Sequence, residues 1–151
     1  MKDRVFIDSN IFIYYQTAKE SVKKRIVDDT LDFFECIAST QVLKEICNVL
    51  SKKFSIAIVE IEKFIKTIID LYQIVLIDNA LILEALHVRD RYSISFYDSL
   101  MVAAALKVNC KYLISEDMQD GLVIDGKLTI VNIFVHTNMI NTEKITYERR
   151  N

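Results

Sequence analysis

Short apolar segments typical of buried strands alternate along this chain with segments of helical periodicity. The predicted strands cover residues 5–7, 33–38, 74–77, 111–114 and 128–135. The predicted helices cover residues 10–15, 21–31, 39–53, 55–72, 79–88 and 96–108. This alternation is typical of α/β domains, in which helices cover the faces of a mainly parallel sheet. We therefore predict one α/β domain with a central sheet of about four to five strands.

The length and the composition fit one folded domain. The chain has 151 residues, of which 52% are hydrophobic, enough to bury a core. The longest nearly apolar stretch, 100–106, is too short to span a membrane, and Asp8 interrupts the first apolar segment too early for a signal peptide. We expect a domain over residues 1–138, a polar tail over 139–151, no membrane contact and a cytoplasmic location.

Several classes of site are disfavoured by the residues that the chain lacks. It has two glycines and no proline, so neither a phosphate-binding loop nor a dinucleotide-binding motif can be written. Its three cysteines form no CxxC pair and its two histidines lie far apart, which disfavours disulfides and zinc. The net charge of −2 argues against general coating of nucleic acid, although local clusters of lysine and arginine remain.

Four acidic residues stand where an α/β sheet carries its functional groups, outside the carboxyl ends of strands or on the adjoining helices. They are Asp8, Glu45, Asp98 and Asp117, with Glu116 and Asp120 as rivals of the last. Each alone has a structural explanation: a helix cap, an exposed helix residue, a capping box with Ser95, and a turn. The helix after Ser95 is apolar nearly all round, so a carboxylate in its first turn needs a partner such as a metal ion.

Taken together, four segments resemble the PIN-domain family, and especially its VapC-like toxin branch. The segments are 5–10, 40–45, 96–100 and 112–117. The first reads Asp8-Ser9-Asn10, where the family usually has Asp-Thr-Asn, and it keeps both the acid and the amide. The resemblance covers about residues 4 to 135. It implies a PIN-like fold and a metal-dependent endoribonuclease that hydrolyses RNA phosphodiester bonds.

The resemblance also implies a site and partners. Asp8, Asp98 and Asp117 would hold Mg²⁺ or Mn²⁺, Glu45 would be a ligand or a base, and Asn10 and Ser115 would orient water, metal or phosphate. A like-charge pair about 4 Å apart costs about 4 kcal/mol at an effective dielectric near 20, and a hard cation with oxygen ligands removes that repulsion. The implied partners are an RNA substrate, a small antitoxin protein and a second copy of the chain.

Two other enzyme or signalling classes with acidic sites fit the sequence poorly. A haloacid-dehalogenase-type phosphotransferase needs a second aspartate where Asn10 stands, and a receiver domain needs paired acids after the first strand and a late lysine, neither of which is seen. A PIN scaffold could bind RNA or protein without cleaving it. Four aromatic residues are candidates for RNA contacts, although helix packing is the favoured role of each: Tyr14, Tyr15, Phe96 and Tyr97. The apolar helix around residues 58–69 is a candidate surface for a partner or simply part of the core.

Overall fold

The computed structural model describes residues 1–19 and 21–136, in which six helices surround a six-stranded sheet. The strands are β1 (Arg4–Ile7), β2 (Glu35–Ser39), β3 (Gln73–Val75), β4 (Tyr112–Ile114), β5 (Val123–Ile124) and β6 (Leu128–Val131). The helices are α1 (Ser9–Thr17), α2 (Val22–Phe33), α3 (Thr40–Lys52), α4 (Ile58–Leu71), α5 (Asn79–Tyr92) and α6 (Phe96–Lys107). The polar tail predicted over residues 139–151 lies outside the described residues.

The sheet has the strand order β3-β2-β1-β4-β6-β5, and every pair except β5–β6 is parallel. Strand β1 lies in the interior of the sheet, between β2 and β4. Its residues Val5, Phe6 and Ile7 have no exposed surface, because other elements cover both faces of the sheet. The predicted α/β class with a mainly parallel sheet is confirmed.

Polar side chains that begin the helices fix where the elements around the site start. Ser39 ends β2 and accepts a hydrogen bond from the Val42 N–H (3.3 Å), and Ser95 accepts one from the Asp98 N–H (3.1 Å). Each bond satisfies an N–H that would otherwise have no partner in the first helical turn. Residues 99–105 of α6 are all buried, as its apolar sequence predicts.

The boundaries of several elements differ from the prediction by a few residues. Phe33 ends α2 instead of beginning β2, α4 begins at Ile58 instead of Ser55, and β6 ends at Val131. The predicted set also lacked β5, because two residues are too few to show a strand pattern. The β5–β6 turn at Asp125-Gly126 has positive φ at both residues (52° and 65°), the backbone that an Asp-Gly pair favours.

No helix within residues 1–19 and 21–136 combines the length and the hydropathy required to cross a bilayer. The three cysteines are free thiols. Burial raises the pKa of both Cys36 and Cys110 to about 12, so these two side chains pack as small apolar groups.

We expect Ile37→Ala, in the middle of β2, to lower the free energy of unfolding by about 2–5 kcal/mol. Ile37 has no exposed surface, and the substitution leaves a cavity that its neighbours fill only in part. Urea unfolding followed by circular dichroism measures the effect. Leu83→Ala is the control, because Leu83 is 61% exposed and its loss should change the free energy by less than about 0.5 kcal/mol. Equal effects of the two variants would contradict this account of the core.

Candidate active site

The four predicted acids line one open cavity of about 300 Å³ beside the carboxyl ends of β1 and β4. Asp8 follows β1, Glu45 lies on α3, Asp98 lies in the first turn of α6 and Asp117 follows β4. The full lining is Asp8, Ser9, Asn10, Glu45, Asn48, Val49, Tyr97, Asp98, Met101 and Asp117. Four side chains that are far apart in the sequence therefore face the same space.

Asp8 is the most buried of these acids, with 4% of its surface exposed. Its Oδ1 accepts a hydrogen bond from the Ser9 N–H (2.6 Å), and its Oδ2 accepts one from the Ser115 hydroxyl (2.8 Å). Burial raises the pKa of Asp8 to about 6; the bonds from Ser115 and Ser9 oppose the rise, and the charge of Glu45 adds to it. Asp8 is thus a carboxyl group for which the loss of water outweighs the hydrogen bonds that it gains.

The Ser9 hydroxyl lies between Asp8 and Glu45. Its oxygen is 2.8 Å from Glu45 Oε2 and 3.2 Å from Asp8 Oδ1. A hydroxyl carries a single proton, so it cannot donate to both carboxylates at the same time. One of the two facing carboxylate oxygens, Asp8 Oδ1 or Glu45 Oε2, is therefore left without the Ser9 proton, and a bound proton or cation would stabilise the pair.

The second oxygen of Glu45 also has a partner. Glu45 Oε1 accepts a hydrogen bond from the Gln41 side-chain amide at 3.0 Å. Sequence reasoning assigned no role to Gln41 or to the Ser9 hydroxyl. Gln41 stands four residues before Glu45 on the same face of α3, and that spacing was the signal available for it. The distance from Ser9 to Glu45 had no such signal, because it depends on how α3 packs against α1.

Asp117 and the two predicted supporting residues belong to the same arrangement. The Asn10 side-chain amide donates a short hydrogen bond to Asp117 Oδ2. The Ser115 hydroxyl donates to Asp8 and accepts from the N–H groups of Asp117 (3.2 Å) and Met118 (3.3 Å). Ser115 thereby couples the loop after β4 to the carboxylate after β1, and all its hydrogen-bonding capacity is used.

Asp98 differs from the other three acids because its carboxylate forms no hydrogen bond or ion pair with any other described residue. The capping box considered for Asp98 is only half formed: the Ser95 hydroxyl accepts from the Asp98 N–H, but within the described part of the chain the Ser95 N–H donates no hydrogen bond to the Asp98 carboxylate. The half-buried Asp98 lines the cavity instead. Lys107 is engaged elsewhere, 3.7 Å from Asp78.

The rival acids do not line the cavity. Glu116 lies 3.3 Å from the ammonium group of Lys23, and Asp120 accepts from the Asn132 N–H (2.8 Å) and contacts His136 (2.6 Å).

Among the candidate aromatic residues, only Tyr97 lines the acid cavity, and it is 65% exposed. Phe96 lines an adjoining cavity, while Tyr14 packs on Phe134 and Tyr15 on Phe64. Helix packing thus accounts for Tyr14 and Tyr15, and Tyr97 is left as the aromatic contact available at the cavity.

The donor set fits a hard divalent cation. Apart from the Tyr97 phenol, the ionisable groups that line the cavity are carboxylates, and oxygen ligands are those that Mg²⁺ and Mn²⁺ prefer. Within the described ranges, however, no three acidic, histidine or cysteine side chains are grouped closely enough to surround one ion. Three of the acids are held by neighbours: Asp8 by Ser9 and Ser115, Glu45 by Ser9 and Gln41, and Asp117 by Asn10. Carboxylates of like charge also repel one another. Ligation of one ion by three of them therefore requires rotation of these side chains.

Comparisons with known proteins place this arrangement in context. The family model described as PIN domain matches residues 5–119, about three quarters of the chain. No curated protein sequence matches the chain significantly.

The solved structures with a similar fold include the following three. A toxin–antitoxin complex from Klebsiella pneumoniae is 19% identical with a TM-score of 0.64, covering 85% of this chain and 96% of that one. VapC20 of Mycobacterium tuberculosis, a toxin that cleaves the sarcin–ricin loop, is 15% identical with a TM-score of 0.61, covering 75% and 91%. VapBC2 from Rickettsia felis, bound to a DNA fragment from its promoter, is 14% identical with a TM-score of 0.60, covering 85% and 99%. At these identities the likeness concerns the fold.

We expect Asp8→Asn to remove a pH-dependent loss of stability in metal-free buffer. Between the ordinary Asp value of 3.8 and about 6, the folded chain binds more protons at Asp8 than the unfolded chain does. As the pH rises through this window, the contribution of Asp8 to the free energy of unfolding of the wild type should fall by about 2–3 kcal/mol. Above the window that contribution should stay level.

The measurement is urea unfolding of both proteins in EDTA at pH 4, 5 and 7. Because other groups titrate in both proteins, the difference between them isolates Asp8, and it should grow in favour of Asp8→Asn towards pH 7. Asp29→Asn, at an exposed acid on α2, should show no such trend. A difference that stays constant with pH would show that burial does not govern this carboxyl group.

Proposed function

Because the chain belongs to the PIN-domain family, we propose that it is a metal-dependent endoribonuclease that hydrolyses RNA phosphodiester bonds, and the toxin of a type II toxin–antitoxin pair. The observation that carries the nuclease proposal is the shared cavity of Asp8, Glu45, Asp98 and Asp117. A cavity with so many carboxylates repels a phosphodiester, and a divalent cation converts the repulsion into attraction.

The residues have distinct parts in this proposal. Asp8, Asp98 and Asp117 hold Mg²⁺ or Mn²⁺, directly or through water. Glu45 completes the ligand set or accepts the proton of the attacking water. Asn10 and Ser115 orient Asp117 and Asp8 through the hydrogen bonds that they donate. The chemistry that a bound divalent cation supplies is stabilisation of developing charge on the phosphate oxygens and activation of water.

RNA contacts outside the reacting phosphate would come from the rim of the cavity. The exposed ring of Tyr97 offers a face on which an unpaired base can stack. Lys44, next to Glu45 on the exposed side of α3, lines the adjoining cavity and offers a cation for a flanking phosphate. Single-stranded or loop RNA fits this arrangement better than a base-paired helix, because its bases are free to stack.

Support for the toxin role comes from the solved structures that share this fold. One neighbour is described as a toxin–antitoxin complex and another as a VapBC assembly, which supports a small antitoxin partner for this chain. The VapC20 neighbour is described as a toxin that cleaves the sarcin–ricin loop, which supports RNA as the substrate class. A homodimer and a cytoplasmic location belong to the same proposal.

One observation favours a second candidate, a PIN scaffold that binds RNA or protein without cleaving it. Within residues 1–19 and 21–136, no three Asp, Glu, His or Cys side chains are close enough together to hold one metal ion. Cleavage and binding therefore have to be measured separately.

We expect cleavage of a panel of structured and unstructured RNAs in Mg²⁺ or Mn²⁺, and none in EDTA. Asp8→Asn and Asp98→Asn should each lower the cleavage rate by about 100-fold or more. Loss of a residue that only hydrogen-bonds to a metal ligand can already cost about 100-fold, and these two residues are proposed ligands themselves. Gel analysis of end-labelled RNA measures the rates. Asp70→Asn, at an exposed acid on α4, is the matched control and should cut at the wild-type rate. RNA binding without metal-dependent cutting would favour the scaffold.

The toxin role has its own test. Induced expression of the chain should arrest growth of a bacterial host, and Asp98→Asn should relieve the arrest at equal protein levels. Co-expression of a small protein encoded by an adjacent reading frame should also relieve it and should co-purify with the chain. If the host grows normally while the expressed protein cleaves RNA, the nuclease proposal would stand and the toxin proposal would be wrong.

A further inference from the structure

The side chain of Gln41 connects the two helices that carry Glu45 and Asp98. Its Nε2 lies 3.0 Å from Glu45 Oε1 and 3.0 Å from the carbonyl oxygen of Tyr97, the residue before Asp98. Gln41 is 7% exposed and lies one turn before Glu45 on α3. A single buried amide thus spans the space between a cavity acid and the first turn of α6.

The orientation of this amide is determined by its neighbours. Its nitrogen carries two protons, and the two partners, a carboxylate and a carbonyl, are both acceptors. The opposite orientation would place the Gln41 oxygen against both acceptors. The bond to Tyr97 therefore anchors the amide so that its second proton points at Glu45.

This arrangement carries a cost. Gln41 Oε1 is buried and has no hydrogen-bond partner among the described residues. A buried polar atom without a partner destabilises a fold, and an apolar side chain of the same length would avoid the loss. This unpaired oxygen offsets part of what the two hydrogen bonds donated by the amide contribute to stability.

We propose that Gln41 is a positioning residue that holds the Glu45 carboxylate in the geometry needed for metal binding, an inference that rests on the function proposed above. With Gln41 on Oε1 and the Ser9 hydroxyl on Oε2, Glu45 is held at both oxygens. Groups that hydrogen-bond to metal ligands orient them, and their loss typically costs 10–100-fold in metal affinity or activity. The amide restricts the rotation of a half-exposed side chain that would otherwise turn towards solvent.

The test is Mn²⁺ titration of the full chain without RNA, by calorimetry, for the wild type, Gln41→Met, Glu45→Gln and the double variant. We expect Gln41→Met to weaken Mn²⁺ binding about 10–100-fold, while its Tm in EDTA stays equal to or above that of the wild type. In the Glu45→Gln background, Gln41→Met should have no further effect, because the group through which it acts is gone. In RNA cleavage, Gln41→Met should lower kcat and leave KM unchanged.

Two further variants separate positioning from packing. Ser39→Ala removes the N-terminal cap of the same helix, so it should lower Tm without changing Mn²⁺ affinity. Gln41→Leu repeats the loss of the amide with a different apolar side chain and should weaken Mn²⁺ binding as Gln41→Met does.

Wild-type Mn²⁺ affinity in Gln41→Met and Gln41→Leu would overturn the proposal, and so would effects of Gln41→Met and Glu45→Gln that add independently. If the wild-type chain binds Mn²⁺ but does not cut RNA, the nuclease proposal would be wrong, and the Mn²⁺ titration would still decide the role of Gln41. A wild-type chain that binds no Mn²⁺ would overturn both.

Discussion

The parallel pairing of β1 with β4 is the constraint on which the rest of the site depends. In this register Ile7 is opposite Ile114, and the Asp8 N–H donates to the Ile114 carbonyl at 3.0 Å. The next residue of each chain segment, Asp8 and Ser115, then lies at the same edge of the sheet with their side chains 2.8 Å apart. A shift of the register by one residue would turn Asp8 towards the other face of the sheet and separate it from Ser115.

The site combines a stable scaffold with a carboxyl group that is costly to bury. Residues 5–7 of β1 and 99–105 of α6 are buried, so the strand that leads into Asp8 and the part of the helix that follows Asp98 have little freedom to move. Burial of Asp8 opposes its charge, while Ser9 and Ser115 favour it. Because the rigid frame keeps a buried acid close to other acids, a cation in the cavity would stabilise their negative charges. This is the physical basis of a preference for cations at the site.

Much of the domain was predictable from local patterns, because the signals lie within single elements. The apolar triplet before Asp8, the serine caps at Ser39 and Ser95 and the continuous apolar surface of α6 each follow from short stretches of sequence. The two-residue strand β5 could not be predicted this way, since its pairing with β6 depends on a turn and on a neighbour rather than on a pattern of its own.

The sequence by itself determined the types of element, their order and which acids stand where strands end or helices begin. Only the tertiary structure decided that Ser9 lies between Asp8 and Glu45, that Gln41 reaches both Glu45 and Tyr97, that Asp98 is left without a partner among the described residues, and that Glu116 and Asp120 are occupied elsewhere. The physical reason is the separation along the sequence of the residues that interact. Caps and periodic faces are set by contacts within about four residues, whereas these bonds depend on how α1, α3, α6 and the loop after β4 pack, which no local pattern records.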